Sequence, residues 1–145
     1  MPLRASASPV APGTRLYRRF RFGDLVELNI LDTRRYRSDQ PCGDGLTNCA
    51  GRFDAARSMT GDDQEAWLLD GLRTSTSKWN VLAPQTLFAA ADFNSVPGSK
   101  GPAGMFNVDQ WDGYVVQRRR LTEFLASPEG PLNPVVITGD LHSSW

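Results

Sequence analysis

The chain has 145 residues, and its sixteen basic and sixteen acidic side chains cancel. That length suits one domain able to bury roughly 70% of its unfolded surface. The balanced charge leaves no global field to recruit nucleic acid or an anionic membrane, and there is no apolar run of about eighteen residues to cross a bilayer. Fourteen of the sixteen bases are arginine; arginine favours bidentate carboxylate or phosphate contacts, although a GC-rich genome gives the same bias.

The opening "MPLRASASPVAPG" is rich in Pro, Ser and Ala and has no apolar core of signal-peptide length, so residues 1–14 read as loop with no visible export signal. Residues 16–22, "LYRRFRF", alternate loosely and read as a strand; Gly23 and Asp24 turn the chain, and "LVELNILD", 25–32, returns as the second strand of a hairpin. Leu25, Leu28, Ile30 and Leu31 supply its apolar bulk. From Thr33 to Met59 the chain is polar and without period, which predicts a long ordered loop. Within it lie Cys42 and Cys49, flanking "CGDGLTNC": two surface thiols in a reducing compartment, or a small closed loop stabilised by roughly 2–3 kcal/mol in an oxidising one.

Thr60 can cap a helix that starts near Asp62 and ends near Ser75, with Asp62, Asp63 and Glu65 at the positive end of the dipole and Trp67, Leu68 and Leu72 as its buried stripe. "KWNVLAP", 78–84, reads as an apolar strand stopped by Pro84, followed by "QTLFA" and a Gly/Pro-rich loop over 92–104. "GYVVQRRRLTEFLAS" predicts a second helix with Val116, Leu121, Phe124 and Leu125 on one face and Arg118, Arg119 and Arg120 turned outward. Val135, Val136 and Ile137 form a β-branched run that reads as a buried strand.

The order hairpin, helix, strand, helix, strand argues for an α/β sheet with a helical layer, in which chemistry gathers at the carboxyl ends of strands. Gln85 stands at one such end, and Asp140 and His142, the single histidine, at another. In extended backbone residues i and i+2 point the same way, so a carboxylate and an imidazole can serve one ion; such a pair suits iron, zinc or manganese. The competing reading makes Asp140 a turn cap and His142 a hydrogen-bonded surface residue.

The stretches "LYRRFRFGDLVELNILDTRRYRSDQPCGDG", "DDQEAWLLDGL", "KWNVLAPQTLFA", "DQWDGY" and "GDLHSSW" resemble, in that order, successive segments of the PhoD-like alkaline phosphatases of the calcineurin-like metallophosphoesterase superfamily. The resemblance implies an α/β fold, a partial metallophosphoesterase-type β-sandwich flanked by helices, four-layered (αββα) in the complete family domain. It implies hydrolysis of phosphate mono- and diesters at a dinuclear iron and calcium centre. Asp140 and His142 match the last metal-site motif and are the implied ligands and catalytic groups, with Gln85 at the active-site edge. Asp32, Arg34, Tyr36, Arg37 and Asp39 look like a polar network packed beside the site.

The resemblance further implies a periplasmic or extracellular enzyme, with Cys42 and Cys49 bridged, acting as a monomer on phosphate esters, with no nucleic-acid partner. Two aspartate-rich loops that carry the family's other ligands do not occur here, and "MPLR" resembles an internal segment. The expectation is a C-terminal portion of one catalytic domain, cut at both ends and inactive alone. A nucleic-acid-binding module using "RRFR" at 18–21 and "RRR" at 118–120 is the rival reading; a serine hydrolase is disfavoured, since no G-x-S-x-G elbow occurs.

Overall fold

A computed structural model of the chain describes residues 14–43, 45–95 and 104–140. The expected loop over 1–14 therefore lies, apart from Thr14, outside the described residues. Six strands form: β1 (Arg18–Phe22), β2 (Val26–Ile30), β3 (Leu46–Thr47), β4 (Trp79–Ala83), β5 (Phe106–Asn107) and β6 (Pro134–Val136). Two helices join them, α1 (Asp62–Thr74) between β3 and β4 and α2 (Val115–Ala126) between β5 and β6.

The main sheet has the order β1-β2-β4-β6. β1 and β2 pair antiparallel around Gly23, whose φ of +58° suits a residue without Cβ. β2, β4 and β6 run parallel, Leu28 opposite Val81 and Val81 opposite Val135, so their three carboxyl ends open on one edge. α1 and α2 are the crossovers that parallel pairing demands. The architecture is mixed α/β, a four-stranded sheet with two helices and a small two-stranded sheet of β3 and β5.

The core lies between this sheet and the helices: Leu31, Met59, Leu68, Leu72, Leu82, Trp111, Tyr114 and Leu121 are buried together, with Trp67, Phe88, Phe124, Leu125 and Val136 around them. The β2 residues that face it are polar, however, Glu27 and Asn29. Arg19 meets both, its Nε 2.6 Å from Asn29 Oδ1 and 3.2 Å from Glu27 Oε1, and stacks 4.5 Å over the Trp67 ring. Gly71 leaves room for it, since a Cβ there would stand 1.7 Å from the Arg19 guanidinium. On the opposite face Phe20, Phe22, Ile30 and Trp79 are exposed, at 43%, 59%, 36% and 46%. The expected apolar bulk of the second strand is thus divided: Leu31 enters the core, while Leu25 and Ile30 are exposed.

Four further expectations are corrected. Thr60 does not cap α1; Gly61, at φ +72°, holds the N-cap position, and the Thr60 hydroxyl instead accepts from Gln117 Nε2 at 2.7 Å. The face of α2 that is buried comprises Val115, Gln117 and Leu121, with Val116 only half-buried. Arg118 turns inward to pair with Asp112, whereas Arg119 and Arg120 are exposed as expected, Arg120 pairing with Glu65 at 2.7 Å. β6 is a half-buried edge strand rather than a buried one, starting at Pro134, whose missing N–H suits an edge.

The polar loop over 33–59 holds two elements that its composition hid: β3, paired antiparallel with β5, and a 3-10 turn at Ala50–Phe53. A second 3-10 turn, Trp111–Gly113, precedes α2. Cys42 and Cys49 are joined by a disulfide that closes the loop carrying β3. Buried Arg52 seals this region, its Nε donating to the Asp112 carbonyl at 2.7 Å and its guanidinium lying 3.7 Å over the Phe106 ring.

Besides the Arg120–Glu65 pair, one buried side chain of α2 ties the two helices together. Gln117 Oε1 accepts from Met59 N at 2.6 Å, and Nε2 donates to Ser58 Oγ, Thr60 Oγ1 and Glu65 Oε2. Gln117→Leu keeps the volume but leaves these buried groups unmatched, so it should destabilise the fold by about 3 kcal/mol. Urea unfolding with an unchanged slope and a lower midpoint is the expected result; a loss under about 0.5 kcal/mol would show that the network is dispensable.

Candidate active site

The three parallel strands end at Ile30, Ala83 and Val136, and the residues just beyond them define the site. After β2 the chain makes a turn held by Asp32, whose Oδ1 accepts from the N–H groups of Arg34 and Arg35, both at 2.8 Å. This Asx turn is what aspartate offers at a strand end. The Asp32 backbone is itself fixed by Gln64 from α1, which accepts from its N–H at 2.8 Å and donates to its carbonyl at 2.9 Å.

After β4, Gln85 Oε1 accepts two hydrogen bonds from one residue, Thr33 N at 2.6 Å and Thr33 Oγ1 at 2.7 Å. The carbonyl end of the amide is thereby occupied by the β2 loop, and the exposed side chain has its two N–H donors on the other side. After β6, Gly139 runs beside the same segment: a Cβ on it would stand 3.9 Å from the Gln85 carbonyl. The structure therefore brings Gln85 and the Asp140 loop together. Asp140 itself lies in the left-handed region at φ +55°, so the extended geometry expected to align it with His142 does not hold at this residue. His142 lies outside the described residues.

Two groups reach Asp140 from elsewhere. Arg34 Nη2 stands 3.4 Å from its Oδ2, and Gln110 Nε2 donates to its carbonyl at 3.3 Å. The same Arg34 places Nη1 2.9 Å and 2.7 Å from the two carboxylate oxygens of Asp109. Asp109 also takes Arg37 Nη2 at 2.8 Å and Gln40 Nε2 at 2.8 Å. Burial pushes the Asp109 carboxyl up, but the hydrogen bonds from Arg37, Gln40 and Arg34 and the Arg37 charge outweigh it, leaving a net value below the usual carboxylate range. Asp109 and Gln110 were not singled out from the sequence; the only signal was their place in the "DQWDGY" stretch.

The other members of the polar stretch after β2 hold structure. Tyr36 Oη accepts from Leu16 N at 3.3 Å and its ring packs edge-on to Tyr17 at 5.4 Å. The Asp39 carbonyl accepts from Arg57. As for a metal, no three of histidine, cysteine, aspartate and glutamate come together among the described residues, so these alone do not make up a complete ion site. Asp140 contributes one half-exposed carboxylate.

A sheet whose parallel strands deliver amide, guanidinium and carboxylate groups to one edge has the α/β arrangement in which ligand sites form at strand ends. The family model of the PhoD-like phosphatases matches residues 1–145, and the chain belongs to that family. It is 43% identical over 146 residues to alkaline phosphatase D of Bacillus subtilis (strain 168), a match that takes in 100% of this chain and 24% of that protein. A solved structure described as the structure of PhoD superposes with a TM-score of 0.81 at 42% identity, over 100% of this chain and 27% of that one. The chain thus spans about a quarter of the length of the relatives it matches.

Asp92 ties together the chain on either side of residues 96–103, its oxygens accepting from Ser95 Oγ at 2.7 Å, Gly104 N at 2.8 Å and Met105 N at 3.0 Å. The bonds from Ser95, Gly104, Asn94 and Met105 lower its pKa from 3.8 to about 2. A carboxylate whose folded value is depressed stabilises the fold above its unfolded pKa and loses that contribution as pH falls through the folded one. The tie should hold as the solution is acidified past 3.8 and open near pH 2, which an NMR titration of the Asp92 carboxyl carbon reads directly. A midpoint at the ordinary carboxylate value would show the four bonds to be absent in solution.

Proposed function

We propose that the chain is the C-terminal portion of a PhoD-like catalytic domain and serves metal-dependent hydrolysis of phosphate mono- and diesters. In this reading Asp140 and His142 are metal donors and Gln85 contacts the ester at the site's edge. The observation that carries it is the meeting of Asp140, Gln85 and Arg34 at the carboxyl edge of the sheet, in a chain of that family. A dinuclear iron and calcium centre, as the family resemblance implies, would be held here in part by Asp140 and His142 and would supply charge to polarise phosphoryl oxygens and to activate water, so that no serine nucleophile would be needed.

The chain's own residues prepare the edge for that chemistry. Thr33 holds the Gln85 amide so that its N–H groups are presented outward, where a phosphoryl oxygen can accept them. Gln110 and Gly139 set the course of the loop that carries Asp140. The remaining metal donors are assigned to segments outside these 145 residues. The exposed apolar face of the main sheet supports this, since a second sheet covers such a face in a sandwich. An exported location, periplasmic or extracellular, is supported by the Cys42–Cys49 bridge.

In the full-length protein Asp140→Asn or His142→Ala should cut hydrolysis of p-nitrophenyl phosphate at least 10- to 100-fold, roughly the range seen when support around a metal is lost. Unchanged turnover with full metal content in both variants would remove them from the site. The 145-residue chain alone, supplied with iron and calcium, should turn over neither that ester nor its bis ester; robust turnover abolished by His142→Ala would refute the incomplete-site reading while leaving the family in place. Protein recovered from its native compartment should show an intact mass lower by two hydrogen atoms than the reduced chain, and two free thiols there would count against export.

A further inference from the structure

We infer that Arg34 is a substrate contact that grips the phosphoryl group and that Asp109 is the positioning residue that aims it; this rests on the phosphoesterase reading above.

The backbone of Arg34 is fixed at the strand end, because its N–H donates to Asp32 Oδ1 and its neighbour Thr33 is bonded to Gln85. Its guanidinium is held closely at Nη1 and loosely at Nη2. Asp109 takes Nη1 through both carboxylate oxygens, while the Nη2 contact to Asp140, at 3.4 Å, is well beyond the ~2.7–2.9 Å of a good charge-assisted bond. The side chain is 47% exposed to solvent. An arginine clamped on one edge by a carboxylate and held by a long contact on the other is preorganised for a tetrahedral oxyanion, since its planar fork loses little freedom on binding.

Asp109 is suited to the clamp because it is itself immobile. Arg37 Nη2 and Gln40 Nε2 both hold its Oδ1 at 2.8 Å, and Arg37 Nη1 also donates to its carbonyl at 2.9 Å. Both come from the same loop as Arg34, so the whole segment 34–40 closes on one carboxylate borne by the turn after β5. A merely structural link between the loops would be served by Arg37 and Gln40. Arg34 adds a cation at the strand edge, one residue from the threonine that orients Gln85, and the two side chains together offer N–H donors to one phosphoryl group.

The test compares wild type, Arg34→Ala, Arg34→Lys, Arg34→Gln, Asp109→Asn and Asp140→Asn in the full-length protein. For each, kcat and KM for p-nitrophenyl phosphate are measured alongside the competitive inhibition constant of inorganic phosphate and the thermal midpoint. Arg34→Ala should raise KM and the phosphate inhibition constant together by roughly tenfold or more, the loss expected of one charge-assisted hydrogen bond. Arg34→Lys should recover part of both. Asp109→Asn should raise both several-fold with kcat changed by less than about twofold, a split that simple loosening of the fold does not produce. If Arg34→Ala fails to fold, Arg34→Gln carries the same reading. A folded Arg34 variant with wild-type KM and phosphate inhibition, in a protein that Asp140→Asn inactivates, overturns this inference alone; an active Asp140→Asn enzyme overturns the underlying phosphoesterase site and this inference with it.

Discussion

Two buried, uncharged amides decide how this sheet can be used. Gln64 binds the backbone of Asp32 and the carbonyl of Thr60, and Gln117 binds Met59, Ser58, Thr60 and Glu65. Each amide donates and accepts at once, so it can satisfy strand-end and loop groups of both kinds without the several kcal/mol that desolvating an ion costs. Both helices are thereby locked to the same short segment, 58–60, and α1 also to the end of β2. The direction in which the Arg34 loop leaves the sheet follows from these bonds rather than from apolar packing, which is non-directional.

Much of the framework was legible from periodicity. The hairpin, the two helices, the central strand and the closing strand all form in the expected order, because their apolar spacing is local information. What periodicity could not show is which side of a strand meets the helices. In β2 the core-facing positions are Glu27 and Asn29, whose burial depends on Arg19 one strand away, and Arg19 in turn needs the space beside Gly71. Thr60 likewise looked like a cap because the partner that claims its hydroxyl, Gln117, lies 57 residues further on.

The candidate site divides the same way. Gln85 and Asp140 were legible because each follows a strand, and strand ends are where α/β sheets gather polar groups. Asp109 was not, since its partners Arg34, Arg37 and Gln40 are 69 to 75 residues away and its turn exists because β3 pairs with β5. The arginine bias noted at the outset also gains physical content. Arg19 and Arg52 each combine several directed hydrogen bonds with stacking on an aromatic ring, at Trp67 and Phe106, a combination that a lysine ammonium cannot supply.

The apolar outer face of the main sheet has a consequence for the physical behaviour of the chain in isolation. Phe20 and Phe22 on β1, Ile30 on β2 and Trp79 on β4 share this face, with Val26 and Leu28 of β2 between the outer strands, so it is a broad greasy surface rather than scattered single side chains. Attraction between two such surfaces strengthens with warming and with sulfate, and weakens in the cold and in mild urea. Chilled, sulfate-free solutions would keep the separated chain dispersed, whereas gentle heating would drive copies together through this face.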